Sequence, residues 1–286
     1  MPKPAYTLTL PQDRTTAVVF ASPHSGRDYP ARFLRRSVLP TRLLRSSEDA
    51  FVDLLFGAAP RLGAPLLAAL APRAWVDLNR AEDELDPALI EGMARGAPNP
   101  RVNSGLGVVP RVVASGRAIY SGKLNRAEAE ARIADVWHPY HAALQGLLDE
   151  SLAQFGQAIL IDCHSMPHEA IEAACGAHRD RPDVVLGDRF GAASDGAIVE
   201  RIEAAFSAAG LKVARNAPFA GAFITQKYGR PRAGQHAVQI EIDRSLYMHE
   251  ARVEPNARFD DMRRLVSGVV AEICAIGRAE VAVAAE

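Results

Sequence analysis

Short apolar runs punctuate the chain, separated by longer stretches in which apolar residues recur at helical spacing. Ala17–Ser22, Pro65–Leu70, Ala158–Cys163, Asp183–Gly187, Leu211–Arg215 and Ala237–Ile242 are aliphatic or β-branched, and several lack polar alternation. Strands covered on both faces read this way. Among the intervening stretches, Ser47–Ala59 opens on serine and acids and repeats apolar residues at Phe51, Leu54, Leu55 and Ala58, which predicts a helix. Asn125–Phe155 predicts two helices, because Pro139 lacks the N–H a helix interior needs. Ser194–Ala209 begins on a capping residue and stops at Gly210, and Asn256–Ala279 closes the chain with a long periodic pattern. Strand–helix alternation of this kind implies an α/β fold: a mainly parallel or mixed central sheet with helices on both faces, in three layers. With no internal repeat and no low-complexity linker, residues 1–286 read as one domain.

Two irregular stretches interrupt the alternation, Glu82–Gly122 and Asn216–Gly234, both rich in Pro, Gly and charge. Loops of that length inside a domain are usually functional or disordered. In open α/β sheets the site lies beyond the carboxyl ends of the strands, where both loops can wall it.

A formal net charge of −1 gives no general attraction to nucleic acid or an acidic membrane, so a small molecule is the expected partner. Cys163, Cys175 and Cys274 are odd in number and contain no C-x-x-C pair, which fits a reducing cytoplasm rather than a disulfide framework. No signal-peptide core and no membrane-length apolar stretch is present, so a cytoplasmic location is expected. Oligomeric state is left open, and a homo-oligomer is compatible with this composition.

The chemistry gathers at the ends of the apolar runs. "ASPHSG" delivers His24, "WVDLNR" delivers Asp77, Asn79 and Arg80, "ILIDCHSMP" delivers His164, and "QIEIDR" carries Glu241. "RSSEDA" adds Glu48 and Asp49. Two imidazoles and one carboxylate with an open fourth position form a catalytic zinc set. A further unliganded Glu can act as general base, and an Arg can hold an oxyanion or a substrate carboxylate.

Each residue also has a plain structural reading. A lone His after a strand is commonly just hydrogen-bonded, acids favour the first turn of a helix, and Asn79–Arg80 can close a loop with an ion pair. Glu241 is harder to dismiss, since a charge in an apolar strand needs a reason.

The motifs "PHSG", "VDLNR", "IDCHS" and "QIEIDR", in this order, resemble those of zinc carboxypeptidases and of aspartoacylase and succinylglutamate desuccinylase. A closer resemblance covers nearly the whole chain. "SPHSGRDYP", "EDAFVDLLF", "DLNRAEDELDP", "GLGVVPR", "DCHSMP", "GDRFG", "YGRP" and "QIEIDRSLYM" are similar to the N-formylglutamate amidohydrolase family. The resemblance implies a zinc-carboxypeptidase-like (phosphorylase/hydrolase-like) fold. It also implies zinc-dependent hydrolysis of an N-acyl amino acid, typically N-formyl-L-glutamate to formate and glutamate at the end of histidine degradation.

On that resemblance His24 and His164 are zinc ligands and Glu241 is the general base and later proton donor. Asn79 and Arg80 hold the substrate α-carboxylate, and Arg73 polarises the scissile carbonyl. Where carboxypeptidases place a ligand Glu three residues after the first His, this chain has Arg27, so Glu48 is expected as the third ligand, with Asp49 next.

Arg111 and Arg230, from the irregular loops, are candidates for a substrate carboxylate. His138 and His141 read as helix-end packing, His236 is placed evenly between support of the site and structure, and Cys163 reads as core. The rivals are deacylation of another N-acyl amino acid, zinc carboxypeptidase activity, a binding protein without catalysis, and a metal-free hydrolase using Ser165 or Cys163. No G-x-S-x-G elbow supports the last.

Overall fold

The structure is a computed structural model and describes residues 4–94, 99–176 and 181–278. Positions 95–98 of the Glu82–Gly122 stretch, and Ala279 at the end of the predicted terminal helix, lie outside the described residues. Seven strands form one mixed sheet: β1 (Tyr6–Thr9), β2 (Val18–Ser22), β3 (Leu66–Ala69), β4 (Ala158–Met166), β5 (Val184–Gly187), β6 (Val213–Arg215) and β7 (Gln235–Asp243). Their spatial order is β1-β3-β2-β4-β7-β5-β6. The central strands β3, β2, β4 and β7 run parallel, β1 is antiparallel at one edge, and β5 is antiparallel to β7 with β6 parallel to β5.

The apolar residues of the central strands divide between two cores by alternation. Val19, Ala21, Leu160 and Ala237 pack with Tyr140, Leu144 and Leu148 of the helix His138–Phe155 and with Ile224 of the helix Phe223–Tyr228. Phe20, Ile159, Ile161, Cys163, Val238 and Ile240 pack on the opposite face with Ile202 and Phe206 of the helix Gly196–Ala208 and Val266, Val270 and Ile273 of the helix Phe259–Ile276. Helices thus cover both faces of the sheet, as the unbroken apolar runs imply. Cys163 faces the second core, fully buried.

Two features depart from expectation, and the two helices expected across Asn125–Phe155 are present but continuous. The predicted helix Ser47–Ala59 is broken into a 3₁₀ turn at Arg45–Ser47, extended backbone at Glu48 (φ −70°, ψ 144°), left-handed backbone at Phe51 (φ 68°) and the short helix Val52–Leu55. The segment is diverted because the Asp49 N–H donates to the His24 carbonyl (2.9 Å), tying this turn to the end of β2. The helices Arg126–Arg132 and His138–Phe155 are joined by a π-helical turn, Ile133–Trp137. The wider turn absorbs the N–H that Pro139 cannot supply, so the proline changes the hydrogen-bond pattern rather than opening a loop. β1 went unforeseen: it is a largely exposed edge strand whose one ladder partner is β3.

Candidate active site

The site is built where β2, β4 and β7 end. Pro23 follows β2 and His24 comes next, in a turn pressed so closely on the exit of β3 that a Cβ on Gly26 would lie 2.1 Å from the Ala71 carbonyl oxygen. His164 lies in β4 directly opposite Glu241 of β7, in parallel register, so both side chains leave the same face of the sheet. The His24 and His164 rings meet edge-on at 4.8 Å.

Asp49 completes a buried cluster with these two imidazoles. Its Oδ2 accepts from His164 Nδ1 at 2.9 Å and stands 3.4 Å from His24 Nδ1. Its other oxygen accepts from Arg244 Nη2 at 2.8 Å, while Arg244 Nε donates to Ser165 Oγ at 3.2 Å, which fixes the plane of the carboxylate. The far side of each ring faces another acid. His24 Nε2–H donates to Asp77 Oδ1 at 2.7 Å, and Asp162 Oδ1 stands 2.9 Å from His164 Nε2. Arg73 Nε in turn donates to Asp77 Oδ2 at 3.0 Å.

The electrostatics follow from this crowding. Burial alone would raise Asp49, but the neighbouring His164, His24 and Arg244 hold it well below the usual carboxylate range. Asp77 is likewise held low against burial, by Arg73 and His24. Burial lowers His164, yet Asp162 and Asp49 outweigh it and raise the imidazole well above its usual value. Glu241 goes the other way: burial pushes its carboxyl up to about 7, with His164 and Arg73 pulling it back and Asp49 adding to the rise. Gln239 Nε2 donates to Glu241 Oε1 at 3.0 Å, which orients the group.

The donor set fits a divalent metal. The ligand atoms offered by His24, Asp49 and His164 all lie within 4.8 Å of one another. His24 Nδ1 is buried and makes no hydrogen bond, so with Nε2–H committed to Asp77 an unused lone pair points into the cluster. Two imidazole nitrogens and one carboxylate oxygen, each ring backed by a second acid, are what a catalytic zinc site needs.

Among the sequence-predicted residues, His24, His164, Glu241 and Arg73 are brought together. Glu48 is not. Its carboxylate accepts from Tyr29 Oη at 2.7 Å and from Arg45 Nε and Nη2 at 3.1–3.2 Å, so the acid that joins the imidazoles is Asp49. Extended backbone at Glu48 turns the two neighbouring side chains apart.

Asn79 Oδ1 accepts from the Ile224 N–H at 2.8 Å, which aims its amide nitrogen at His164 Nε2, 3.3 Å away. Arg80 is buried, with Nε on the Leu106 carbonyl and Nη1 on the Asn79 carbonyl. Its guanidinium lines a cleft of about 810 Å³ together with Arg101, Arg189, Lys227 and Arg230. Arg230 therefore shares a cleft with Arg80, whereas Arg111 does not line it: it pairs with Asp86 at 2.8 Å within the Glu82–Gly122 stretch.

The remaining candidates have structural partners. His141 Nε2–H donates to the Leu78 carbonyl and Nδ1 accepts from Tyr228 Oη, both at 2.9 Å, and burial lowers it to about 3, so it is a neutral core imidazole. His138 pairs with Glu82 at 3.2 Å on the surface. His236 accepts from the Asp195 N–H at 3.1 Å at the start of a helix. Neither His24 nor His164 is hydrogen-bonded to Ser165 or Cys163 among the described residues; Ser165 Oγ accepts from Arg244 and Cys163 is core. Asp77, Asp162, Arg244 and Arg189 were not singled out for roles from sequence. Asp162, two residues before His164 and therefore on the same face, was the one that strand alternation could have found.

Comparison with known proteins agrees with this geometry. A family profile described as N-formylglutamate amidohydrolase matches residues 16–248. The N-formylglutamate deformylase of Pseudomonas aeruginosa is 32% identical over 259 residues, 90% of each chain. That of Pseudomonas putida is 31% identical over 228 residues, 79% of each. The crystal structure of N-formylglutamate amidohydrolase from Ralstonia eutropha JMP134 superposes with a TM-score of 0.90 at 36% identity, over 96% of this chain and 99% of that one. None of the helices among the described residues is long and apolar enough to cross a membrane. On sequence and fold alike, this chain belongs to the N-formylglutamate amidohydrolase family and is an amidohydrolase.

Proposed function

We propose that the chain hydrolyses N-formyl-L-glutamate to formate and L-glutamate, using a zinc ion held by His24 Nδ1, Asp49 and His164 Nδ1. The observation that carries this reading is the buried, unpaired His24 Nδ1 facing Asp49 and His164, with Glu241 in register beside them. The ion would supply Lewis acidity to the attacking water and the formyl carbonyl. Glu241 takes the water's proton and hands it to the amide nitrogen as the C–N bond breaks. A carboxyl in register with His164 and oriented by Gln239 is placed for both halves of that transfer.

Arg73, anchored through Nε on Asp77, offers its remaining N–H groups to the carbonyl oxygen as charge develops there. Asn79 and Arg80 hold the α-carboxylate, Arg80 from the lining of the cleft and Asn79 from beside His164. Asp77 keeps the His24 ring turned with Nδ1 inward, and Asp162 places a second negative charge against His164. In metabolism the product glutamate would close histidine degradation.

A panel of N-formyl and N-acetyl amino acids tests the substrate. N-formyl-L-glutamate is expected to give the highest kcat/KM, with N-acetyl analogues at least about tenfold poorer, since a pocket shaped for hydrogen must make room for a methyl. Equal or better turnover of an N-acetyl amino acid, or of a peptide carboxyl terminus, would move the chain to a different substrate class.

A further inference from the structure

The loop between β5 and the helix Gly196–Ala208, sequence "GDRFG", plays no part in the chemistry above, yet it is built at visible cost. Arg189 and Phe190 are consecutive non-glycine residues with left-handed backbone, each at φ 56°. Such residues persist only where the surroundings over-determine them, and a strained pair is a reason to ask what it presents.

The surroundings here are specific. Asn216, itself at φ 59°, accepts from the Asp188 and Phe190 N–H groups at 3.1 and 3.3 Å and donates to the Asp188 carboxylate at 2.6 Å. The Arg189 N–H donates to the Ala220 carbonyl at 2.8 Å, pinning the loop to the segment that leads into the helix Phe223–Tyr228. Gly187 is where the two segments touch: a Cβ there would lie 2.7 Å from Ala220 and Gly221 backbone atoms.

What this clamp presents is the Arg189 side chain, which lines the same cleft as Arg80. Among the cations of that cleft, Arg101 and Arg230 are exposed, and solvent screens what they contribute. The Lys227 ammonium lies 5.6–5.8 Å from the ring centres of Trp137, Phe223 and Tyr228, already engaged by aromatic faces. Arg189 is half-buried, and among the described residues its guanidinium has no ion pair or hydrogen bond. A half-buried, unpaired fork lining the same cleft as the buried Arg80 suits a ligand with two carboxylates, since guanidinium binds each one bidentately.

We infer that Arg189 is the specificity-determining residue for the second, side-chain carboxylate of the substrate, with Asn216 as the residue that positions it. The inference rests on the N-formyl dicarboxylic amino acid reading above, with Arg80 on the α-carboxylate. Recognition by Arg189 makes the preference for glutamate over neutral side chains a property of one loop.

The test compares wild type, Arg189→Ala and Arg189→Lys on N-formyl-L-glutamate and N-formyl-L-norvaline, which lacks the second carboxylate. It also measures calorimetric binding of glutarate and butyrate to the metal-loaded enzymes. Arg189→Ala is expected to raise KM for N-formyl-L-glutamate by about 10- to 100-fold with kcat little changed, and to leave N-formyl-L-norvaline unaffected. Arg189→Lys should recover part of the loss, because charge remains while the fork is gone. Glutarate binding should weaken to the level of butyrate in Arg189→Ala.

Equal losses on both substrates, or no loss on either, would overturn the inference. A wild-type enzyme inactive on every N-formyl amino acid would sink the parent reading instead, and glutarate against butyrate would still decide whether Arg189 holds a second carboxylate.

Discussion

Glu241→Gln is expected to lower kcat on N-formyl-L-glutamate by about 10²–10⁴ while the metal stays bound and KM moves little. The amide keeps the shape of the side chain and can still accept the hydrogen bond from Gln239. What it loses is the ability to take a proton from water and return one to the leaving nitrogen. Glu241 lies outside the His24–Asp49–His164 cluster, so metal content should match wild type. A variant that turns over within a few-fold of wild type would remove Glu241 as the base. One that loses its metal instead would make it a ligand.

The second large effect separates two neighbouring acids. Asp49→Asn removes a charged ligand and uncouples Arg244, so metal affinity should fall by orders of magnitude and activity with it. Breaking a buried ion pair also costs about 3–5 kcal/mol of stability, and a lower melting temperature should accompany the loss. Glu48→Gln should keep its full metal content. Its carboxylate serves Tyr29 and Arg45, and weakening those bonds costs about 1–3 kcal/mol at the turn. Metal analysis of both purified variants by mass spectrometry reads the difference. Metal lost from Glu48→Gln and kept by Asp49→Asn would reverse the assignment.

That pair also shows where sequence reading stops. His24, His164 and Glu241 were legible because each ends or lies in an apolar run, and strand periodicity says which face a side chain leaves from. Glu48 and Asp49 sit in a turn whose direction is set by one backbone bond to His24, 25 residues away by the numbering, and by left-handed backbone at Phe51. No local pattern encodes that choice, and helix-like periodicity across Ser47–Ala59 pointed to the wrong local structure.

Arg111 and Arg189 differ for a similar reason. Both lie in polar loops, but Arg111 has Asp86 within reach, whereas Arg189 is carried to the cleft by β5, which pairs antiparallel with β7. A strand's direction in the sheet is decided by long-range pairing, so the loop after β5 could not be placed from sequence. The alternation of strands and helices, and the two-faced core it produces, did not depend on such choices and was legible throughout.

The claim that a metal at His24, Asp49 and His164 carries the reaction is tested most directly by stripping the enzyme with chelator and titrating zinc back while formate release from N-formyl-L-glutamate is followed. Activity is predicted to be negligible in the stripped enzyme, to rise with added zinc and to level off at one ion per chain, with no such rise in His24→Ala or His164→Ala. Full formate release from enzyme shown by elemental analysis to be metal-free would contradict the account.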